Sequence, residues 1–333
     1  MSRTYNYNMA VCEAVLKEMT RDNKVVCLGQ DFSTSGGPFG LTMGIAKKFP
    51  ERVFDTPICE YGEGYMTVGL ALSGMRPIVD FNFSDFGTIA SDSIINGAAT
   101  YHFTSVGRNS VPATFIFMNG GAGTYGGMGF GTNHSQCMEM LYYNTPGLKI
   151  VAPEYPSDVH GLLRAAIQDN DPVIFMIHLG STGGFREEVD FTEDDDYIIP
   201  LNNAAKVRRG GTDVTIVAIQ SMVPVAEKAA EELAKEGISV EIIDPRVLLP
   251  FDHAKVNASV KKTGKLLVVT EEHERGSIAG EIIKHIAYED PSMLKKPAKV
   301  VGSLNAPIGS GYYEYLMVPH EEEVIAAVKE LVK

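Results

Sequence analysis

Short apolar runs alternate with helix-spaced segments along the chain. Residues 24–28 (KVVCL), 53–58, 76–83 (RPIVDFNF), 112–118 (PATFIFM), 148–152 (LKIVA) and 173–177 (VIFMI) read as strands. Several are apolar at consecutive positions rather than alternate ones, as in strands covered on both faces of a parallel sheet. Between them, 9–20 (MAVCEAVLKEMT), 41–48, the small-residue run ending at Gly74, 85–104 and 157–168 carry helical spacing, with Ser157 as an expected N-cap. The stretch 186–199, REEVDFTEDDDYII, is acidic and aperiodic, which marks a domain boundary. A second series follows, with strands at 214–219, 240–244, 266–270 and 299–301 and helices at 223–235, 253–262, 278–287 and 321–332. The pattern predicts an α/β chain of two parallel-sheet domains, 1–185 and 204–333, joined by an acidic linker over 186–203.

The length of 333 residues fits two domains, and 44% hydrophobic with 21% charged residues is a globular composition. A net charge of −13 argues against a nucleic-acid surface. No apolar run approaches the ~20 residues of a membrane span. The start, MSRTYNYNMAV, has neither an apolar signal core nor an Arg/Ser-rich presequence, so a soluble, cytoplasmic protein is expected. Cys12, Cys27, Cys59 and Cys137 form no CxxC pair, and are expected to be reduced thiols rather than zinc ligands or disulfides.

Four groups carry candidate chemistry. Glu60 falls where the 53–58 strand ends and a helix begins, the edge at which open α/β sheets place their sites. Most such glutamates are solvated, but apolar neighbours at Ile58 and Met66 would favour its protonated form by desolvation. Phe86 falls beyond the 76–83 strand among polar residues, where a ring can face a heterocycle. The run NGGAGTYGGMGFGTN at 119–133 contains G-A-G-T-Y-G at 121–126 directly after a strand. The glycines continue to Gly131, so no helix opens at once and a dinucleotide fingerprint is rejected in favour of a loop beside an active site. His134 is expected at the start of the helix that follows, either as a group active near neutral pH or as a surface cap. Residues 271–277, EEHERGS, read as solvated charge at a strand end. There is no GxSxG elbow, P-loop, HExxH or carboxylate–histidine metal cluster.

Longer motifs add to this. D-T-P-I-C-E at 55–60, G-x-R-P-I-V at 74–79, D-x-I-I-N at 92–96, N-H-S-Q at 133–136, P-G-L-K-I-V-A-P at 146–153, G-L-L-R-A-A-I-Q-D-N-D-P-V at 161–173 and D-V-T-I-V at 213–217 stand in collinear order. Together they resemble the β subunit of the thiamin-diphosphate-dependent E1 component of 2-oxo acid dehydrogenase complexes, of pyruvate, acetoin or branched-chain type. The resemblance implies a transketolase-like pyrimidine-binding domain followed by a transketolase C-terminal domain. It implies that Glu60 hydrogen-bonds N1′ of the cofactor's aminopyrimidine, that Ile58 and Phe86 pack against that ring, and that His134 assists acyl transfer to the lipoyl group of E2. It further implies a potassium site around Ala113, Ala166, Asp169 and Asp171. The Mg²⁺–diphosphate motif GDG is absent here, so Mg²⁺ and the diphosphate are expected on an E1 α subunit, in an α2β2 heterotetramer with β–β contacts. Half of a split transketolase-like enzyme, or a non-catalytic assembly subunit of the same fold, are the alternatives. Tyr61, Glu63, Asn133 and the segment from Ile308 to Tyr313 depart from the family pattern and leave the substrate open.

Overall fold

Residues 3–121, 123, 129–191 and 196–333 are described by a computed structural model. They form two units, Met1–Asn119 with Leu141–Leu201, and Gly120–Met140 with Asn202–Lys333. The sequence division keeps 120–140 in the first domain, whereas in the structure this segment belongs with the second unit.

In the first unit six parallel strands stand in the order Lys149–Val151, Val173–His178, Thr114–Asn119, Arg76–Phe83, Val25–Gly29 and Val53–Asp55. Val25–Gly29, Thr114–Asn119 and Val173–His178 are buried at every position, as their unbroken apolar runs require. Helix Tyr7–Arg21 starts where the Asn6 side chain accepts the Met9 N–H at 2.8 Å. It buries Tyr7, Ala10, Val11, Ala14, Val15 and Met19 on one stripe against helix Pro156–Gln168. Burying each larger side chain of that stripe contributes about 1.5–3 kcal/mol.

Several expectations shift locally. Ser157 is not the N-cap of Pro156–Gln168, because Pro156 starts the helix and Tyr155 is the capping position. Its first-turn N–H is taken instead by Glu187, which accepts from Ser157 N at 2.8 Å and from Ser157 Oγ at 2.9 Å. Glu187 lies in strand Arg186–Val189, paired antiparallel with Arg3–Asn6, so the acidic stretch begins as a strand. Residues 192–195 of that stretch lie outside the described residues. The helix expected over 41–48 is confined to Ile45–Lys48, behind turns at Gly40 and Gly44. The one expected over 85–104 is segmented into a 3₁₀ turn Ser84–Phe86, an α-helix Gly87–Asp92, a π-helical stretch Ser93–Ala99 and an α-turn Tyr101–Thr104.

In the second unit the sheet order is Lys299–Ser303, Leu266–His273, Val214–Ala218, Val240–Asp244 and Lys206–Arg209, parallel except for the last. All four cysteines are free thiols. Among the described residues no helix is long and apolar enough to cross a membrane.

Candidate active site

The carboxyl ends of three neighbouring strands line up in the first unit. Gly29 stands in register with Asp55 on one side and Asp80 on the other, and Thr56 N donates to Gly29 O at 3.1 Å. The chain then passes Pro57 and enters helix Glu60–Leu72, whose first turn carries Glu60 and Glu63, at the end of the helix that favours negative charge. Glu60 is only 6% exposed, yet no hydrogen bond from a described residue reaches its carboxylate. Ile58 and Met66 are 79% and 41% exposed, so they do not wrap Glu60 as expected from the sequence; its burial comes from elsewhere.

Behind Glu60 lies a layer of polar groups. Glu63 is buried, and Thr56 Oγ1 donates to its Oε1 at 2.7 Å. Burial raises the Glu63 pKa, the Thr56 hydroxyl holds it back in part, and the charge of Glu60 adds to the rise. Gln30 turns its amide toward Glu63 outside hydrogen-bond geometry, leaving Glu63 Oε2 and Gln30 Nε2 buried and unmatched. Asp80 is buried as well, and Asn82 Oδ1 is a third unmatched atom. A buried polar atom without a partner costs about 1–3 kcal/mol, so three at one sheet edge suit a ligand bearing both donors and acceptors.

Phe86 closes the 3₁₀ turn after strand Arg76–Phe83. Its ring stands edge-on to Phe83 at 5.5 Å, and Phe83 stands edge-on to Phe39 at 5.4 Å. The helix that follows it, Gly87–Asp92, packs against helix Glu60–Leu72. The fold thus brings Ile58, Glu60 and Phe86 to one carboxyl edge.

His134 belongs to the second unit. It is half-buried in a turn, with its N–H on Gly131 O at 3.0 Å, and does not start a helix; the next begins at Glu139. Most of the G-A-G-T-Y-G string lies outside the described residues, with only Gly121 and Gly123 inside them. The 271–277 run is not solvated throughout. Glu271 and Glu272 are buried, while Glu274 and Arg275 are exposed. Glu271 accepts from Gly121 N at 2.7 Å and from Ser221 Oγ at 2.5 Å. Burial drives the Glu272 carboxyl well up, and the nearby Glu139 charge adds to it.

The segment expected around potassium is occupied by protein partners. Lys149 Nζ holds Asp169 at 2.6 Å and Asp171 at 3.1 Å. The carbonyls of Ala113, Ala166 and Asp169 accept from Val173 N, Asp169 N and Arg76 Nη1. This donor set fits a lysine ammonium better than a potassium ion. Among the described residues no group of three or more His, Cys, Asp or Glu is placed to hold a metal.

Sequence reasoning missed Glu63, Asp80 and Asn82 as site residues. The signal was present for two of them, since Asp80 and Asn82 are the polar interruptions of an otherwise apolar strand, RPIVDFNF.

Residues 3–183 match the family model described as transketolase, pyrimidine binding domain, and 203–324 match transketolase, C-terminal domain. The chain is 38% identical over 325 residues to an Arabidopsis thaliana protein named pyruvate dehydrogenase E1 component subunit beta-1, mitochondrial, covering 96% of this chain and 87% of that one. From Bacillus subtilis, a pyruvate dehydrogenase E1 component subunit beta is 35% identical (97% of each chain). A 2-oxoisovalerate dehydrogenase subunit beta from the same organism is 37% identical (98% of each). A solved structure titled "Split gene transketolase, inactive beta4 tetramer" superposes with a TM-score of 0.76 at 22% identity over 98% of each chain, which shows the shared fold.

Proposed function

This chain belongs to the transketolase-like β subunits of 2-oxo acid dehydrogenase E1 components, and on that premise we propose that it supplies the pyrimidine-side half of a thiamin-diphosphate site. Its reaction is the cleavage of a 2-oxo acid, or of acetoin, with transfer of the acyl group to a lipoyl group on E2. The observation that carries the reading is Glu60, a buried carboxylate at the carboxyl edge of a parallel sheet with no hydrogen-bond donor among the described residues. The unmatched Gln30, Glu63 and Asn82 atoms and the Phe86 ring at the same edge fit a flat ring with donors and acceptors on its rim.

Thiamin diphosphate, when bound, supplies the carbon nucleophile that attacks the 2-oxo carbonyl. With the cofactor bound, Glu60 would hydrogen-bond N1′ of the aminopyrimidine and hold the proton at that atom. Phe86 would offer a ring face to the bound pyrimidine, and Ile58 an apolar neighbour. His134 holds or moves a proton at the lipoyl acceptor. The diphosphate and Mg²⁺ fall to an E1 α subunit, since the chain has no GDG motif. Potassium is left out of this reading, because Lys149 Nζ, Arg76 Nη1 and the main-chain N–H groups of Val173 and Asp169 engage its expected ligands. The plant relative's name places that protein in mitochondria.

Reconstitution tests the reading. Purified alone, the chain should bind thiamin diphosphate poorly and decarboxylate nothing; with its cognate α subunit it should act on one of pyruvate, branched-chain 2-oxo acids or acetoin. Full activity without a partner would refute it.

A further inference from the structure

The glycines of 119–133 and the segment from Ile308 to Tyr313 have no part in the chemistry above, and the two meet at one carboxylate. Glu314 lies in the short helix Tyr312–Tyr315, entered through Gly311 at φ +57°. It is 0% exposed. Gly123 donates its N–H to Glu314 Oε1 at 2.7 Å, while Oε2 is buried without a partner.

The glycines explain how a main chain comes so close. A Cβ at Gly129 would stand 1.5 Å from Glu314 Oε2, and one at Gly121 would stand 2.3 Å from Oε1. One at Gly123 would lie 3.0 Å from Tyr315 N. Any side chain at 121 or 129 therefore overlaps the carboxylate. Further contacts run along the same two segments. Gly311 N donates to Gly129 O at 3.4 Å, Thr132 Oγ1 donates to Ile308 O at 2.9 Å, and a Cβ at Gly131 would press on Ser310 at 3.1 Å. Glu271 takes the Gly121 N–H at the other end. The main chain then reaches His134, whose N–H closes on Gly131 O.

We infer that Glu314 is a positioning residue for His134: its buried carboxylate is the template around which the main chain at 121, 123 and 129 is laid, and that fixes the turn presenting the histidine. Glycines lose much conformational entropy on ordering and bring no side chains of their own to pack. Glu314 supplies the missing packing surface and an acceptor. The consequence for catalysis rests on the proposed role of His134; the template itself does not.

The template is tested in the full-length chain by a double-mutant cycle on Gly129→Ala and Glu314→Ala, read as urea midpoints. Gly129→Ala alone should lower the midpoint strongly, and in the Glu314→Ala background it should lower it little, because the overlapping oxygen is gone. Additive shifts would overturn the template. Should Glu314→Ala fail to fold, Glu314→Gln serves, since it keeps the shape but sets an amide N–H₂ against Gly129. Amide hydrogen exchange at 129–134 should then quicken by about tenfold or more while strand Val214–Ala218 keeps its protection. Unchanged exchange at 129–134, or an equal rise in both places, would contradict the inference. In the reconstituted complex, Glu314→Gln should slow acyl transfer to a lipoyl domain about tenfold and leave C2-proton exchange of the cofactor within about twofold. An equal fall in both would mean a structural role only. Should His134→Ala leave acyl transfer intact, the histidine's role fails, while the cycle and the exchange data still judge the template.

Discussion

Asn82 donates its main-chain N–H to Asp80 Oδ1 across 2.9 Å, from a left-handed backbone turn at φ +63° that interrupts the register of strand Arg76–Phe83. Burial pushes Asp80 up to about 7, the Asn82 N–H partly restrains the rise, and the Glu63 charge adds to it. A carboxyl with a raised folded pKa keeps its proton after the unfolded chain has lost its own. Its contribution to stability is therefore full below about pH 4 and is lost as the pH climbs toward about 7. Asp80→Asn has no such loss. Its stability relative to the parent should rise by on the order of 3 kcal/mol between about pH 5 and about pH 8, measured by urea unfolding at both. Parallel pH profiles would contradict the assignment.

Thr56→Val removes the hydroxyl that donates to Glu63 Oε1 while keeping the shape at position 56. A buried carboxylate oxygen then loses its partner, so unfolding free energy should fall by about 1–3 kcal/mol. A change within about 0.5 kcal/mol, typical of surface sites, would show that Glu63 is not held this way.

Gly64 lets helix Glu60–Leu72 lie against the π-helical stretch. A Cβ there would stand 2.0 Å from Ser93 Oγ, which itself donates to Ala90 O at 2.7 Å. Gly64→Ala should destabilise by about 1–3 kcal/mol through overpacking, and Ser93→Ala should restore part of it. Thermal midpoints of the two single variants and the double variant check this; a neutral Gly64→Ala would contradict the close approach.

Glu18 carries a buried charge, paired with Arg164 Nε at 2.8 Å and Arg21 Nε at 2.7 Å. Arg164→Met leaves that carboxylate, among the described residues, with the half-exposed Arg21 and with Gln168, and should cost about 3–5 kcal/mol. Adding Glu18→Leu should recover much of the loss, as seen in equilibrium unfolding; no recovery would mean that packing, not the stranded charge, sets the cost.

The parallel character of the two sheets was legible in the unbroken apolar runs, but the strand order was not, because long connections let consecutive strands stand apart in the sheet. The placement of Glu60 and Phe86 just beyond two strand ends was legible from the apolar runs that precede them. Asp80 was visible as an acid inside an apolar run, but whether it was an exposed position or a buried one depended on which face the helices cover. The partnership of Glu314 with Gly121, Gly123 and Gly129 was not legible, because close to two hundred positions separate the partners and glycine carries no side-chain pattern to match. The turn at His134 was misread as a helix start because a polar cluster before apolar residues fits both; the glycine at 131, at φ +86°, decides for the turn.

The central claim, that Glu60 activates a cofactor whose other end is held by a different chain, is tested most directly by C2 hydrogen–deuterium exchange of thiamin diphosphate. The measurement compares the reconstituted α/β complex with its Glu60→Gln counterpart at saturating cofactor. The exchange rate should fall by about 100-fold or more, as for loss of an acid–base group, with cofactor still bound. An unchanged exchange rate in the Glu60→Gln complex would contradict the account.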